Sequence, residues 1–323
     1  MNDFVIDRAI GAVLGSAVGD ALGAGYEFTN PDPNDSIEMI GGGPFGWAPG
    51  EWTDDTQMAT AILDVIATGS VDIEAIGANF LAWFAAGPAD VGIQTSSVLA
   101  AADTPQDLLF TAQAYLDTHP ESVGNGGLMR TAPVALAALN DREQVAAHAA
   151  QIASLTHAHP DSVAACVLWS LAIQEAITTA TSDKHFGWEA TIRNGLEYLD
   201  SSQQDEWDVL IGEAVAGPPA VFNPNGWVVT AFQAALSAIV NTPEPSGQAQ
   251  DHFADALVAA VRIGHDTDTV AAIAGGLLGA RWGASALPDD WLRLLNGQRR
   301  NGLEPLPGST LEDLARSSLD SAI

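Results

Sequence analysis

The chain has 323 residues, 47% hydrophobic and 16% charged, enough apolar surface to drive folding and to exclude a disordered polymer. Eleven basic residues against 41 acidic ones leave a formal charge of −30, a field that repels phosphate backbones and anionic membranes and argues against general nucleic-acid binding. Lys184 is the only lysine and Cys166 the only cysteine, so no internal disulfide can form, which fits a reducing cytoplasm.

From the amino terminus, residues 8–24 carry apolar side chains at three- and four-residue intervals and predict a helix. Asp20 interrupts that run, which is marginal in length for a membrane span, and Asp3 and Asp7 outweigh Arg8 where a signal peptide would start positive. A soluble cytoplasmic protein is expected. Residues 28–52 are rich in Gly and Pro and predict a long loop, which inside a compact domain tends to be functional. Helical spacing then recurs over 56–68, 72–86, 93–102 and 105–117, breaks at 119–130, and resumes over 131–139, 141–155, 160–180, 188–200 and 204–215. After an irregular stretch at 217–226 it returns over 227–241, 249–263, 269–283 and 289–295. Residues 296–308 are irregular again, and Ser309 with Glu312 forms a plausible capping box for a last helix. Strand-like alternation is scarce. The expectation is an all-α protein, one compact domain of a dozen or so helices.

Two of these segments share a pattern. Gly11, Gly15, Gly19 and Gly23 recur every fourth residue, as do Gly275, Gly279 and Gly283. Glycine inside a helix costs about 1 kcal/mol relative to alanine, so a stripe needs a compensating gain. Close backbone approach of the two helices at the centre is that gain; the alternative is glycine simply tolerated in an alanine-rich chain.

Three segments could carry chemistry. Gly50-Glu51-Trp52-Thr53-Asp54-Asp55-Thr56 enters one helix and Gly264-His265-Asp266-Thr267-Asp268-Thr269 enters another. Each alone reads as an ordinary helix start, since Asp and Thr cap helices and carboxylates suit the N-terminal dipole. Together they present four aspartates and several threonine oxygens, hard ligands that suit Mg²⁺ or Mn²⁺ and not zinc. If they converge, mutual repulsion demands neutralisation, and a shared pair of divalent cations would supply it. The third segment is Gly124-Asn125-Gly126-Gly127-Leu128-Met129-Arg130, a glycine-rich turn able to hold a phosphate, with Arg130 adding charge. Glu27, Asp90 and the pair His157 and His159 are weaker signals that also fit surface, turn and structural roles. Cys166 sits in an apolar helical stretch and reads as a buried thiol.

These motifs, with Gly11 to Gly23, Gly87-Pro88-Ala89-Asp90-Val91-Gly92, Thr156-His157 and Gly226-Trp227-Val228 in the same order, resemble the ADP-ribosylglycohydrolases, a family that includes dinitrogenase-reductase-activating glycohydrolase and the vertebrate ADP-ribosylhydrolases. The resemblance spans roughly residues 8–283, with 284–323 a C-terminal extension of a single domain covering 1–323. It implies an orthogonal multi-helix bundle with a dinuclear Mg²⁺ or Mn²⁺ site. Thr53, Asp54, Asp55, Asp266, Asp268 and Thr269 would be the metal ligands, and Glu27 and Asp90 the candidates for acid–base work. Gly92, Asn125, Gly126, Gly127, Met129, Arg130 and His157 would meet the substrate. Two departures stand out: His265 where many members have a small residue, and Gly127 for a common serine. No motif fixes the aromatic that holds adenine; Phe222 and Trp227 are candidates.

The implied activity is hydrolysis of the bond at C1 of the distal ribose in an ADP-ribosylated protein side chain. Cations could orient the ribose hydroxyls and activate water, with Glu27 or Asp90 as general base or acid. Hydrolysis of a free derivative such as O-acetyl-ADP-ribose, a catalytically silent ADP-ribose binder, and direct binding of a toxin partner remain alternatives.

Overall fold

The computed structural model describes residues 2–32, 34–179, 186–244 and 249–320. Fourteen α-helices appear among them, and the expected helical segments fall on them except over 188–200, where the α-helix ends at Arg193 and only a 3-10 turn, Leu196–Tyr198, follows. The first four are α1 (Asp3–Gly23), α2 (Asp54–Ile66), α3 (Ile73–Ala85) and α4 (Ile93–Ala101). The next four are α5 (Leu108–Thr118), α6 (Arg142–Ser154), α7 (Pro160–Thr178) and α8 (Trp188–Arg193). The remainder are α9 (Ser201–Ala216), α10 (Val228–Val240), α11 (Ala249–Val261), α12 (Thr267–Trp282), α13 (Asp289–Leu294) and α14 (Ser309–Asp320). The expected helix at 131–139 is a 3-10 helix, Ala132–Ala138, with Pro133 in its first turn. The fold is all-α; Asn296–Gly297 and Leu306–Pro307 form the only strand pair among the described residues. The end of the helix expected over 160–180 reaches residue 180, outside the described residues.

The glycine stripes meet. α1 and α12 run antiparallel, and a Cβ at Gly11, Gly15 or Gly19 would collide with the carbonyl oxygen of Gly279, Gly275 or Ala271 respectively. At Gly23 the obstacle is the backbone of Thr267 and Asp268. Both helices are buried around almost their whole circumference, which explains why neither shows a polar face. α7 packs across the pair, its Trp169 indole N–H donating to the Ile273 carbonyl at 3.0 Å. Trp169 and Trp207 each meet Phe232 edge-on, with ring centroids 4.9 and 5.0 Å apart.

The segment after residue 283 packs back onto the motif-bearing part. α14 lies against α1 and α2, burying Leu311, Ala315 and Leu319. Its capping box does not form: the Gly308 carbonyl receives the first turn, and Glu312 pairs with Arg316 at 2.7 Å. Residues 296–298 brace the approach to α2. Trp52 donates its backbone N–H to Asn296 at 2.9 Å and its indole N–H to Gln298 at 3.0 Å. Among the described residues no helix is long and apolar enough to cross a membrane.

Candidate active site

The floor of the site is made by helix starts. Thr53 caps α2, its hydroxyl 3.4 Å from the Asp55 N–H, and Asp54 and Asp55 form the first turn. Asp266 precedes α12, and Asp268 and Thr269 form its first turn. The two acidic segments converge: Asp55 Oδ2 lies 3.5 Å from the hydroxyls of both Thr53 and Thr269. Glu27, delivered by the short 3-10 turn Ala24–Tyr26 that ends α1, joins them. One carboxylate oxygen each from Glu27, Asp266 and Asp268 lies within 4.8 Å of the others. The antiparallel contact of α1 and α12 is what brings Glu27 to Asp268.

Burial makes this cluster electrostatically costly. Asp54, Asp55 and Asp268 are held well above the ordinary carboxylate range, first by burial and then by one another and their acidic neighbours. Glu27 is raised to about 9, by burial foremost and then by Asp90, Asp266, Asp54 and Asp20. Glu27 Oε2 and Asp55 Oδ1 are buried with no hydrogen-bond partner among the described residues. Unpaired carboxyl oxygens at close range, which a cation would keep ionised, are the donor set of a hard divalent ion, so the residues present fit Mg²⁺ or Mn²⁺.

Asp20 is a site residue that sequence reasoning passed over. It lies on α1, fully buried, and its carboxylate accepts the Thr53 and Thr56 N–H groups at 3.0 Å and the Thr56 hydroxyl at 2.6 Å. It thus anchors the start of α2 from α1. Burial raises it to about 6 despite those bonds. The sequence signal is that Asp20 is the one charged residue in the otherwise apolar run 9–23 of α1.

Above the acidic floor opens a cavity of about 670 Å³, within the usual range for small-molecule sites. Glu27, Asp54, Asp55, Asp266, Asp268 and Thr269 line one side, and Asp90 and Gly92 stand on the turn before α4. Asp90 is half-buried, and burial followed by Asp266 raises it to about 6. Asn125, Gly126, Met129 and His157 also line the cavity. Asn125 is already engaged, donating to Asp266 Oδ2 at 2.7 Å and to the Asn225 carbonyl at 3.1 Å. The buried Asn225 accepts the Asp266 N–H at 3.0 Å, so it too holds the second acidic segment, with no motif having marked it.

Three expected site residues do not line the cavity. Thr53 is fully buried as a cap behind Asp55. Gly127 faces inward, where a Cβ would stand 3.4 Å from the His157 Cβ and 3.5 Å from the Cys166 sulfur. Arg130 is fully buried and cannot present its charge to a ligand. Its guanidinium donates to the Thr156 hydroxyl at 2.6 Å and lies 4.4 Å from the Phe80 ring centroid. Its long stem carries the charge past the glycine turn into the core. The two histidines also part: His157 faces the cavity, whereas His159 caps α7 by accepting the Asp161 N–H at 3.1 Å. Cys166 is buried and its thiol pushed up to about 12, the state of an inert core thiol.

The two aromatic candidates separate likewise. Phe222 is a core residue, while Trp227 is 63% exposed at the cavity edge. Phe28 shares that edge, 60% exposed, and had no sequence signal. Phe28 and His265 are the only non-glycine residues with positive φ among those described, at 58° and 67°. They are tied to each other's strand of chain, Phe28 N–H to His265 O at 2.6 Å and His265 N–H to Thr29 O at 2.9 Å. His265 thus occupies a left-handed position that glycine adopts most readily, and such strain commonly gathers at functional sites.

Known proteins resemble this chain over most of its length. The chain is 30% identical over 310 residues to the ADP-ribosylarginine hydrolase Tri1 of Serratia proteamaculans (strain 568), covering 91% of this chain and 77% of that protein. It is 29% identical to the ADP-ribosyl-[dinitrogen reductase] glycohydrolase of Rhodospirillum rubrum, covering 90% and 91% respectively. With human ADP-ribosylhydrolase ARH3 the identity is 25%, covering 90% of each. A solved structure described as an ADP-ribosylglycohydrolase-related protein complex superimposes over 100% of both chains with a TM-score of 0.78 at 27% identity. The family model for ADP-ribosylglycohydrolase matches residues 1–322, and the chain belongs to the ADP-ribosylglycohydrolase family.

Proposed function

We propose that this protein is a divalent-cation-dependent hydrolase that releases ADP-ribose from an ADP-ribosylated protein side chain, cleaving the bond at C1 of the distal ribose. The observation that carries the reading is the convergence of Asp54, Asp55, Asp266, Asp268 and Glu27, with partnerless buried oxygens, on the floor of the large cavity. Thr53, Asp54, Asp55, Asp266, Asp268 and Thr269 would hold two Mg²⁺ or Mn²⁺ ions. Bound cations would neutralise the carboxylates and supply Lewis-acid polarisation and orientation of the ribose hydroxyls.

The chain's own residues do the rest. Cleavage at C1 passes through an oxocarbenium-like state, and the electron pair of the breaking bond leaves with the acceptor atom, which takes a proton. Asp90, half-buried on the cavity wall and raised to about 6, can change protonation near neutral pH and serves as acid or base. Glu27 is the second candidate, but it stands within the carboxylate cluster itself. Gly92, Gly126, Met129 and His157 bound the space for the ADP-ribose, and Asn125 steadies Asp266. Trp227 and Phe28 offer aromatic faces at the opening for the adenine.

Arginine-linked ADP-ribose is the first substrate to assay, because relatives named ADP-ribosylarginine hydrolases are among the similar proteins. Release of ADP-ribose from such a protein, and from O-acetyl-ADP-ribose in parallel, is measured with Mg²⁺ or Mn²⁺ and with chelator. Asp54→Ala and Asp268→Ala are expected to abolish release while circular dichroism stays helical. Full activity of either variant, or of the wild type in chelator, would refute the cation-dependent reading.

A further inference from the structure

His157 lies at the cavity edge of a buried chain of hydrogen bonds whose direction can be worked out. Arg130 is fully buried and a guanidinium can only donate, so its 2.6 Å contact with Thr156 makes the threonine oxygen an acceptor. The Thr156 hydroxyl has one proton to give. Its other neighbour is His157 Nδ1 at 2.8 Å, and no further acceptor meets it among the described residues. The proton therefore points at Nδ1, which must be unprotonated, since an N–H there would leave the hydroxyl proton buried without a partner. Burial and the Arg130 cation both oppose charge on the ring, which is held down to about 3 and is neutral. The single ring proton then resides on Nε2.

That nitrogen is left free for something else. Nε2 takes no hydrogen bond among the described residues, and it faces the two glycines of the turn. A Cβ at Gly124 would stand 3.4 Å from it, and one at Gly126 3.2 Å, so side chains there would crowd its approach. Gln94 holds the two ends of the arrangement together. Its amide donates to the Thr156 carbonyl at 3.1 Å, and its oxygen accepts the Gly124 N–H at 3.3 Å. The cavity is thus lined both by carboxylates and by a fixed, uncharged donor.

We propose that Arg130 and Thr156 are positioning residues that lock His157, which the family resemblance already places at the substrate, as the Nε2–H tautomer, so that it meets the ligand as a neutral hydrogen-bond donor. The ligand half of this inference rests on the ADP-ribose reading given above; the tautomer half does not. Arg130 in this role acts through a relay and never touches the ligand. A neutral donor has a further consequence: it forms no ion pair with the carboxylates that line the same cavity.

The test begins with ligand-free full-length protein labelled with ¹⁵N-histidine. Long-range ¹H–¹⁵N correlation of His157 is expected to show an imine-type Nδ1 and an amine-type Nε2. Thr156→Ser keeps the hydroxyl and should keep that pattern, whereas Thr156→Val should lose it, giving a mixture of tautomers. By calorimetry, Thr156→Val and His157→Phe should each weaken ADP-ribose binding by about tenfold, with Thr156→Ser within about twofold of wild type. A wild-type His157 protonated on Nδ1 overturns the relay. So does a folded Thr156→Val variant that keeps both the tautomer and the affinity. Wild-type protein that binds no ADP-ribose overturns the ligand half together with the functional reading, while the free-protein tautomer still decides the relay.

Discussion

Gly275→Ala tests the central packing most sharply, because local and tertiary physics give it opposite signs. By helix propensity alone, alanine should stabilise α12 by about 1 kcal/mol. In the structure, the new Cβ would fall 2.8 Å from the Gly15 carbonyl carbon, closer still to its oxygen, and 3.4 Å from the Ser16 nitrogen. All three obstacles are backbone atoms of α1, so no side-chain rotation relieves them and the helices must part by roughly 1 Å. Overpacking of this kind costs about 1–3 kcal/mol and occasionally more, and against rigid backbone the upper end applies. Net of propensity, we expect destabilisation of about 2 kcal/mol. For a chain of this length, unfolding entropy near 2 cal/mol/K per residue converts that into a fall in Tm of about 3 °C. Gly212→Ala in α9 is the control. Its Cβ would meet only Arg193 Nη2, at 3.5 Å, and it should raise Tm by about 1 °C. Differential scanning calorimetry reads both. A Gly275→Ala protein as stable as wild type would refute the claim that close backbone contact is what the glycine stripe supplies.

Two further expectations follow from the site. Asp20→Asn places an amide against the Thr53 and Thr56 N–H donors and should weaken Mn²⁺ binding about tenfold or more, with the helical content unchanged; calorimetric titration with Mn²⁺ decides, and unchanged affinity counts against an anchoring role for Asp20. In chelated protein, Glu27 is raised from 4.5 to about 9 and Asp90 from 3.8 to about 6. An acid whose folded value is raised keeps its proton longer when folded, so its stabilising contribution is full at low pH and is lost as pH rises through the folded value. The Tm of the chelated protein should therefore fall from about pH 4.5 to 9, and Mg²⁺ or Mn²⁺ should restore it most at the alkaline end. A restoration independent of pH would show that the cations do not act on these carboxylates.

What the sequence determined by itself was the material of each local element. Period-3.6 apolar spacing located the helices to within a few residues, because helix formation depends on neighbours along the chain. The exceptions are of helix type and length, which spacing does not register: Ala132–Ala138 is a 3-10 helix, and the α-helix begun at Trp188 ends at Arg193. The glycine stripes named the two central helices, since only backbone contact repays so many glycines in helix interiors. The acidic segments named the metal candidates by donor chemistry. Direction and partnership were another matter. Whether Arg130 faces the cavity or the core, whether Phe222 or Trp227 meets solvent, and whether Asp20 is a flaw in a helix or the anchor of the next one were decided only in three dimensions. Each depends on what lies across from the side chain, and those neighbours come from distant parts of the chain: Thr156 for Arg130, the start of α2 for Asp20, and Asn225 for Asp266. Residue type fixes what a group can bond to; only the packed fold chooses which partner it gets.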